Sequence, residues 1–166
     1  MSRAICLAPI ASIIHIGSCR HILRRHHPLR RFNHRPLHPQ PHQRRVIPIL
    51  GGEVTGQGWT ARVLPGGADF QLIVTPRLAE LDARYTLETD AGDLIFVQNR
   101  AIRVAEPELT QRLIRGEPVD PALIYFRCSP RFETASSALG WISERLFIGT
   151  GARHPDRVEM RFFTVR

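Results

Sequence analysis

Arg127 stands in the run Tyr125-Phe126-Arg127-Cys128, where its neighbours are otherwise apolar. A guanidinium in such a strand needs a partner, because burying an unpaired charge is strongly destabilising. Glu133 is the nearest acid in sequence. An Arg127–Glu133 ion pair would brace the strand and the loop after it, whereas a ligand carboxylate would occupy the same bidentate fork. Asp82 and Arg84 share one face of an alternating strand and can form an exposed pair worth roughly 0 to 1 kcal/mol. If that face lines a barrel mouth instead, Asp82 beside Arg100 or Arg127 makes a polar site with shifted pKa values. Asp69 follows Pro65-Gly66-Gly67 and either caps that turn or meets a ligand. Tyr85, Phe132 and Trp141 serve as core or as a ligand shelf.

Standard catalytic constellations fail. Past residue 43 the one histidine is His154, followed by Pro155 in a Gly-Ala-Arg loop, so a Ser-His-Asp triad would rest on a surface residue. Gly149-Thr150-Gly151 leads to Pro155 and another strand instead of a helix, which is no dinucleotide fingerprint. No phosphate-binding loop occurs, and no His, Cys and acid spacing suits zinc. The sequence therefore implies no metal and no cofactor. Any acid–base work falls to carboxylates, tyrosine or arginine, as in a cyclase, isomerase or lyase.

The elements that must position these residues are strands. Gly51-Gly52, Gly56, Pro65-Gly66-Gly67, Thr75-Pro76, Asp90-Ala91-Gly92-Asp93, Gly116 and Gly149 to Gly151 separate short runs rich in Val, Ile, Phe, Leu and Tyr. The spacing predicts strands near 46–50, 53–64, 68–74, 78–89, 93–104, 122–129, 140–149 and 157–165. In the fourth, Ala79, Leu81, Ala83, Tyr85 and Leu87 fall on one face, and Glu80, Asp82, Arg84, Thr86 and Glu88 on the other. One short helix interrupts the pattern. Glu106-Pro107-Glu108 suits a helix start, Leu109, Leu113 and Ile114 form its apolar stripe, and Gly116 stops it. The fold class is all-β: a small antiparallel β-barrel or strongly curved meander sheet whose single helix is a lid or plug. Residues 44–166 are enough for one compact domain and not two.

The first stretch has another composition. It holds 9 Arg and 7 His before Gly51 and no Asp or Glu before Glu53, whereas all 15 acids follow. Of the formal charge of +8, this head supplies +9 and the remainder −1, so no nucleic-acid partner is expected of the domain. Lys is absent throughout, which reads as a GC-rich coding sequence. Residues 1–43 fit four origins: translation from a wrong start or frame, a transit peptide, a secretory leader, or a basic arm left disordered by its prolines. The head is expected to be dispensable for folding. Its apolar run from Ala4 to Ile16 is too short for a membrane span. His21, His26, His27, His34, His38 and His42 read as a compositional run, since structural zinc wants fixed spacing and thiolates. Cys6, Cys19 and Cys128 are too few for a disulfide framework, so a reducing, cytoplasmic compartment is the default.

Several runs then become recognisable in order and spacing: Arg44-Arg45-Val46-Ile47-Pro48-Ile49-Leu50-Gly51-Gly52, Leu64-Pro65-Gly66-Gly67-Ala68-Asp69-Phe70, Leu81-Asp82-Ala83-Arg84-Tyr85, Asn99-Arg100, Tyr125-Phe126-Arg127 and Arg131-Phe132-Glu133-Thr134. From Arg44 to Arg166 the chain resembles the domain-of-unknown-function family 3237, also called uncharacterised protein family 0311. The resemblance implies a small antiparallel β-barrel of bacterial and fungal proteins, with no agreed activity. Family members have a strand ahead of the Arg-Arg-x-x-Pro-Ile-x-Gly-Gly run, and residues 1–43 do not resemble it. Phe70, Pro76-Arg77 and Ala101 depart from the family's usual Trp, Asp-Gly and Gly. The polar motif residues are retained, and the candidate ligand contacts are Asp69, Asp82, Tyr85, Asn99, Arg100, Arg127, Glu133 and Trp141. Two functions follow: a barrel that binds a small anionic or carbonyl-bearing molecule in its mouth, with or without cyclase-, isomerase- or lyase-like chemistry, or a non-catalytic structural module, with homo-oligomers compatible with either. A deep pocket holding Asp82, Arg100 and Arg127 favours the first, and a packed interior favours the second.

Overall fold

The computed structural model describes residues 43–165, together with the backbone of residues 13–20. Its strands are β1 (Ile13–Arg20), β2 (Gln43–Ile49), β3 (Gly52–Gly56), β4 (Trp59–Val63), β5 (Gly67–Ile73), β6 (Leu78–Thr89), β7 (Leu94–Val104), β8 (Tyr125–Thr134), β9 (Phe147–Arg153) and β10 (Arg157–Thr164), with one helix, α1 (Pro107–Ile114), between β7 and β8. All pair antiparallel in a single sheet of order β2-β5-β6-β4-β3-β1-β10-β9-β8-β7, and β7 also pairs along β6. Hydrogen bonding thus runs from β6 through β4, β3, β1, β10, β9 and β8 to β7 and back to β6. The sheet is barrel-like, and it continues past this ring: β5 and β2 extend from the first half of β6, and β2 keeps an unpaired edge among the described residues.

Period-two patterning decides the inside. In β6, Ala79, Leu81, Tyr85 and Leu87 are buried while Glu80 and Arg84 are exposed, as the alternation predicts. β7 repeats this with Ile95, Val97, Asn99, Ala101 and Arg103 inward, and β8 with Phe126, Cys128, Pro130 and Phe132. The interior is not uniform along its length. Toward one end Leu87, Ile95, Val97, Phe132, Phe147 and Phe162 fill it. Phe132 meets the Phe147 ring edge-on at 5.0 Å and the Phe162 ring at 5.9 Å. Toward the other end the inward residues of β6 and β7 are Leu81 together with small or polar ones: Ala79, Ala83, Asn99, Ala101 and Arg103.

Helix α1 follows β7 closely, so it sits at that polar end. Its stripe buries Leu113 and packs Leu109 on the core. Gly116 ends it with φ +78, a left-handed conformation glycine adopts without a Cβ clash. Gly116 N–H donates to Leu113 O and Glu117 N–H to Arg112 O, the paired bonds of a Schellman cap.

Four local expectations are corrected. Residues 53–64 are two strands, because Gln57-Gly58, with φ +80 at Gly58, turns the chain so that Gly56 faces Trp59. The predicted strand 140–149 begins as a 3-10 segment, Gly140–Glu144, and β9 starts at Phe147. The strand expected at 122–129 starts at Tyr125 and runs to Thr134, because Asp120 accepts Ala122 N–H at 2.9 Å and caps a 3-10 turn, Pro121–Leu123. The head holds a strand, β1, paired with β10 on one side and β3 on the other. Its Ile13-Ile14-His15-Ile16 run favours extended backbone, and the pairing covers two edges that would otherwise be bare. The expectations for residues 1–12 and 21–42, including the histidine run, lie outside the described residues, where of the seven head histidines only the backbone of His15 falls. Among the described residues no helix is long and apolar enough to cross a membrane, and no three His, Cys, Asp or Glu side chains gather as a metal site.

Candidate functional site

Strand register sorts the sequence candidates by face. Across the sheet, Phe70, Asp82, Arg100 and Ser129 form one row, and Leu72, Glu80, Ile102 and Arg127 the next. Both rows point outward. Asp82, Arg100 and Arg127 do line one cleft of about 550 Å³, with Arg44, Phe70 and Tyr125, but it is an open groove on the outer face and not a barrel mouth. Asp82 takes Arg84 Nη2 at 2.9 Å and Gln98 Nε2 at 3.2 Å. Burial pulls its carboxyl upward, yet those hydrogen bonds with the Arg84 and Arg100 charges outweigh it and hold Asp82 below the usual carboxylate range. Arg127 is exposed, its Nη1 donating to Phe126 O at 3.0 Å while its guanidinium lies 5.0 Å over the Tyr125 ring.

The expected Arg127–Glu133 brace is absent. The two lie six residues apart on one strand, about 20 Å at ~3.3 Å per residue, and both point outward. Trp141, in the 3-10 segment, tilts against the Phe147 ring at 6.2 Å and so stands at the packed end of β9.

Asp69, Tyr85 and Asn99 face inward and are buried. Tyr85 belongs to the core, packed so closely on Gly67 that a Cβ there would stand 2.6 Å from its own. Asn99 hydrogen-bonds the Cys128 thiol, which burial pushes up to about 12 against that bond and the Arg127 charge. Asn99 Oδ1 is buried without a donor among the described residues.

Around Asp69 gather residues that sequence reasoning missed. Gln71 Nε2 donates to Asp69 Oδ2 at 2.6 Å, and Arg45 Nη2 donates to Gln71 Oε1 at 2.7 Å across the β2–β5 pairing. Arg103, 5% exposed, faces inward opposite Ala79 and Phe126. Arg153 ends β9 and reaches the α1 terminus, its Nη2 3.4 Å from Leu113 O. These charges feel one another. Burial, then the charges of Arg153 and Arg45, lower Arg103 to about 10 against the pull of Asp69. Burial and Arg45 likewise lower Arg153, again against Asp69, and burial lowers Arg45 against the same carboxylate. Even at about 10, Arg103 stays charged at neutral pH. At the α1-covered end, buried Arg103 and Asp69 therefore feel the charges of Arg45 and Arg153, which are half-buried. Such an end can hold an acidic or carbonyl group by guanidinium forks. The signal for Arg103 was available: it continues the inward series Ile95, Val97, Asn99, Ala101. Arg45 lies in the Arg-Arg run; Arg153 carried no signal, being read as loop.

Comparison with known proteins agrees with this architecture. The family model described as "Protein of unknown function (DUF3237)" matches residues 20–165. A UPF0311 protein of Rhodopseudomonas palustris is 56% identical over 115 residues, covering 69% of this chain and 75% of that protein. Among solved structures, a conserved protein of unknown function from Rhodopseudomonas palustris superposes with a TM-score of 0.76 at 39% identity, covering 96% of this chain and 99% of its own. A β-barrel-like protein from Acinetobacter baumannii gives 0.66 at 27% identity, covering 98% of this chain and all of the other. The match starts at Arg20, so it takes in much of the head that the motifs alone left out. With its motifs, its sheet and this match in accord, the chain belongs to the DUF3237 family of proteins of unknown function.

Proposed function

We propose that this protein binds a small organic molecule bearing an acid or carbonyl group at the arginine-lined end of its barrel. The observation that carries the reading is Arg103. It is almost wholly buried, makes no hydrogen bond or ion pair among the described residues, and sits within the fields of two further arginines and one carboxylate. Burying such a charge without compensation is costly, and an anionic ligand would supply the compensation. Asp69, the buried carboxylate of the cluster, is the group that would take a proton in an isomerase, lyase or cyclase step.

A structural module without ligand is the second reading, and the hydrogen-bonded chain Arg45–Gln71–Asp69 favours it, since it braces β2 on β5. Exposed Phe70, Ile102 and Tyr125 on the outer face would suit a second copy of the chain under that reading. A thermal-shift panel of small organic acids and ketones separates the two. The binding reading expects hits with the parent protein that disappear in Arg103→Met and persist in Arg100→Met. No hit for the parent would leave the structural module.

A further inference from the structure

The outer face of β5 to β9 combines exposed apolar side chains with charges of both signs. Phe70, Ile102 and Tyr125 are 45%, 48% and 54% exposed around the open groove of about 550 Å³, and Ile148 on β9 is 50% exposed. A contiguous apolar patch rimmed by charges in this way marks a contact surface. Ile102 stands at its centre. Its row reads Leu72, Glu80, Ile102, Arg127 and Thr150 from β5 to β9. Glu80 and Arg127 thus flank Ile102 on opposite sides, each about 4.8 Å away across one strand. The Glu80 side chain makes no hydrogen bond or ion pair among the described residues, and Arg127 reaches only the Phe126 carbonyl and the Tyr125 ring.

The two signs decide the occupant. An acidic partner would meet Glu80 and Asp82, and a basic one Arg100 and Arg127. A second copy of the same face presents both signs, and the axis relating the copies settles whether they match. With the twofold axis along the row, Glu80 would lie on Glu80 and Arg127 on Arg127. With the axis along β7, β6 of one copy lies over β8 of the other. Ile102 then meets Ile102, and each Glu80 meets the Arg127 of the other copy. The adjacent row, Phe70, Asp82, Arg100 and Ser129, continues in register to Ile148, so Phe70 lies over the Ile148 of the other copy. Arg100 also falls on the axis, where Asp82 on the neighbouring strand of each copy offsets the like charges. Arg44 and the exposed Arg161 face each other only at the rim, three strands out, where both keep their water. Strand directions coincide in this arrangement, as in sheets that pack aligned within about 30°.

We propose that the protein forms an isologous dimer through this face, with Ile102 on the axis and a Glu80–Arg127 ion pair on each side of it. The dimer is independent of any ligand of the interior. The patch spans five strands, roughly 20 Å. That places it at the small end of specific interfaces, so the association is reversible and micromolar.

Sedimentation equilibrium of the full chain over about 1 to 300 μM tests this. We expect a monomer–dimer equilibrium. Glu80→Arg and Arg127→Glu each turn two attractions into two repulsions, and each should weaken the dimer at least about tenfold. The double variant Glu80→Arg/Arg127→Glu exchanges the signs and should return to within about threefold of the parent. Ile102→Arg sets two cations on the axis and should abolish the dimer, whereas Leu94→Ser, exposed about 27 Å away along β7 at ~3.3 Å per residue, should leave it unchanged. Glu80, Ile102 and Arg127 are exposed, so circular dichroism melts of the variants should match the parent. A monomer at every concentration would overturn the proposal. So would a dimer that the single reversals leave intact, or one that the double reversal fails to restore.

Discussion

Arg127 and Arg103 have similar sequence surroundings and opposite fates. Each is flanked by apolar residues, yet Arg127 takes the outward parity of β8 and Arg103 the inward parity of β7. Composition of a run thus says little, and parity relative to a known core residue says nearly everything. Tyr85 was legible as inward from the alternation of its strand; Asp69 and Asn99 were singled out from the motifs without a face and prove inward, whereas Asp82, Arg100, Arg127 and Glu133, read from the same motifs, lie outside. Replacing Arg127 with Met should therefore change urea stability by less than about 1 kcal/mol, because only a cation–π contact and a neighbouring carbonyl bond are lost at an exposed site. Cys128 makes a second test at this scale. With its thiol held up at about 12, it stays protonated at pH 8, so a thiolate-directed reagent should label the native protein far more slowly than the urea-unfolded chain. Equal rates in the two states would place Cys128 outside the interior.

At the scale of elements, alternation made β6, β7 and β10 readable, because strands with one buried face carry a period-two signature. The short pieces were less so. Gln57-Gly58 lies within a single apolar-polar run and shows as a turn only once Gly56 and Trp59 are paired. β1 lies in a head to which four origins were assigned and no strand, because its apolar residues stand among arginines and histidines, and nothing local announces that β3 and β10 need a strand between them. That contact is non-local, and a sequence window cannot contain it. A chain beginning at Gln43 should accordingly lose more than a few degrees of thermal midpoint, or become insoluble, because both edges are then bare. An unchanged midpoint would return the head to the dispensable role its composition suggests. At the end of α1, Gly116→Ala should cost about 1 kcal/mol in urea unfolding: there is open space for a Cβ, so the penalty is the left-handed backbone alone.

At the scale of the whole molecule, the two ends of the interior differ. The end holding Phe132, Phe147 and Phe162 is packed ring against ring, and Phe132→Ala there should cost roughly 3 to 5 kcal/mol. The end under α1 sets alanines and the buried Arg103 beside Leu81 and Phe126, and under the proposed function that charge serves a ligand more than stability. Urea unfolding of ligand-free Arg103→Met, against the parent, puts that division to its most direct test. Methionine keeps much of the apolar volume and removes a charge that two neighbouring arginines repel. The account expects the variant to lose less than about 1 kcal/mol, or to gain stability. A loss of roughly 3 to 5 kcal/mol, the cost of stranding a buried partner, would show that Arg103 is a structural ion-pair residue and contradict a site waiting for an anion.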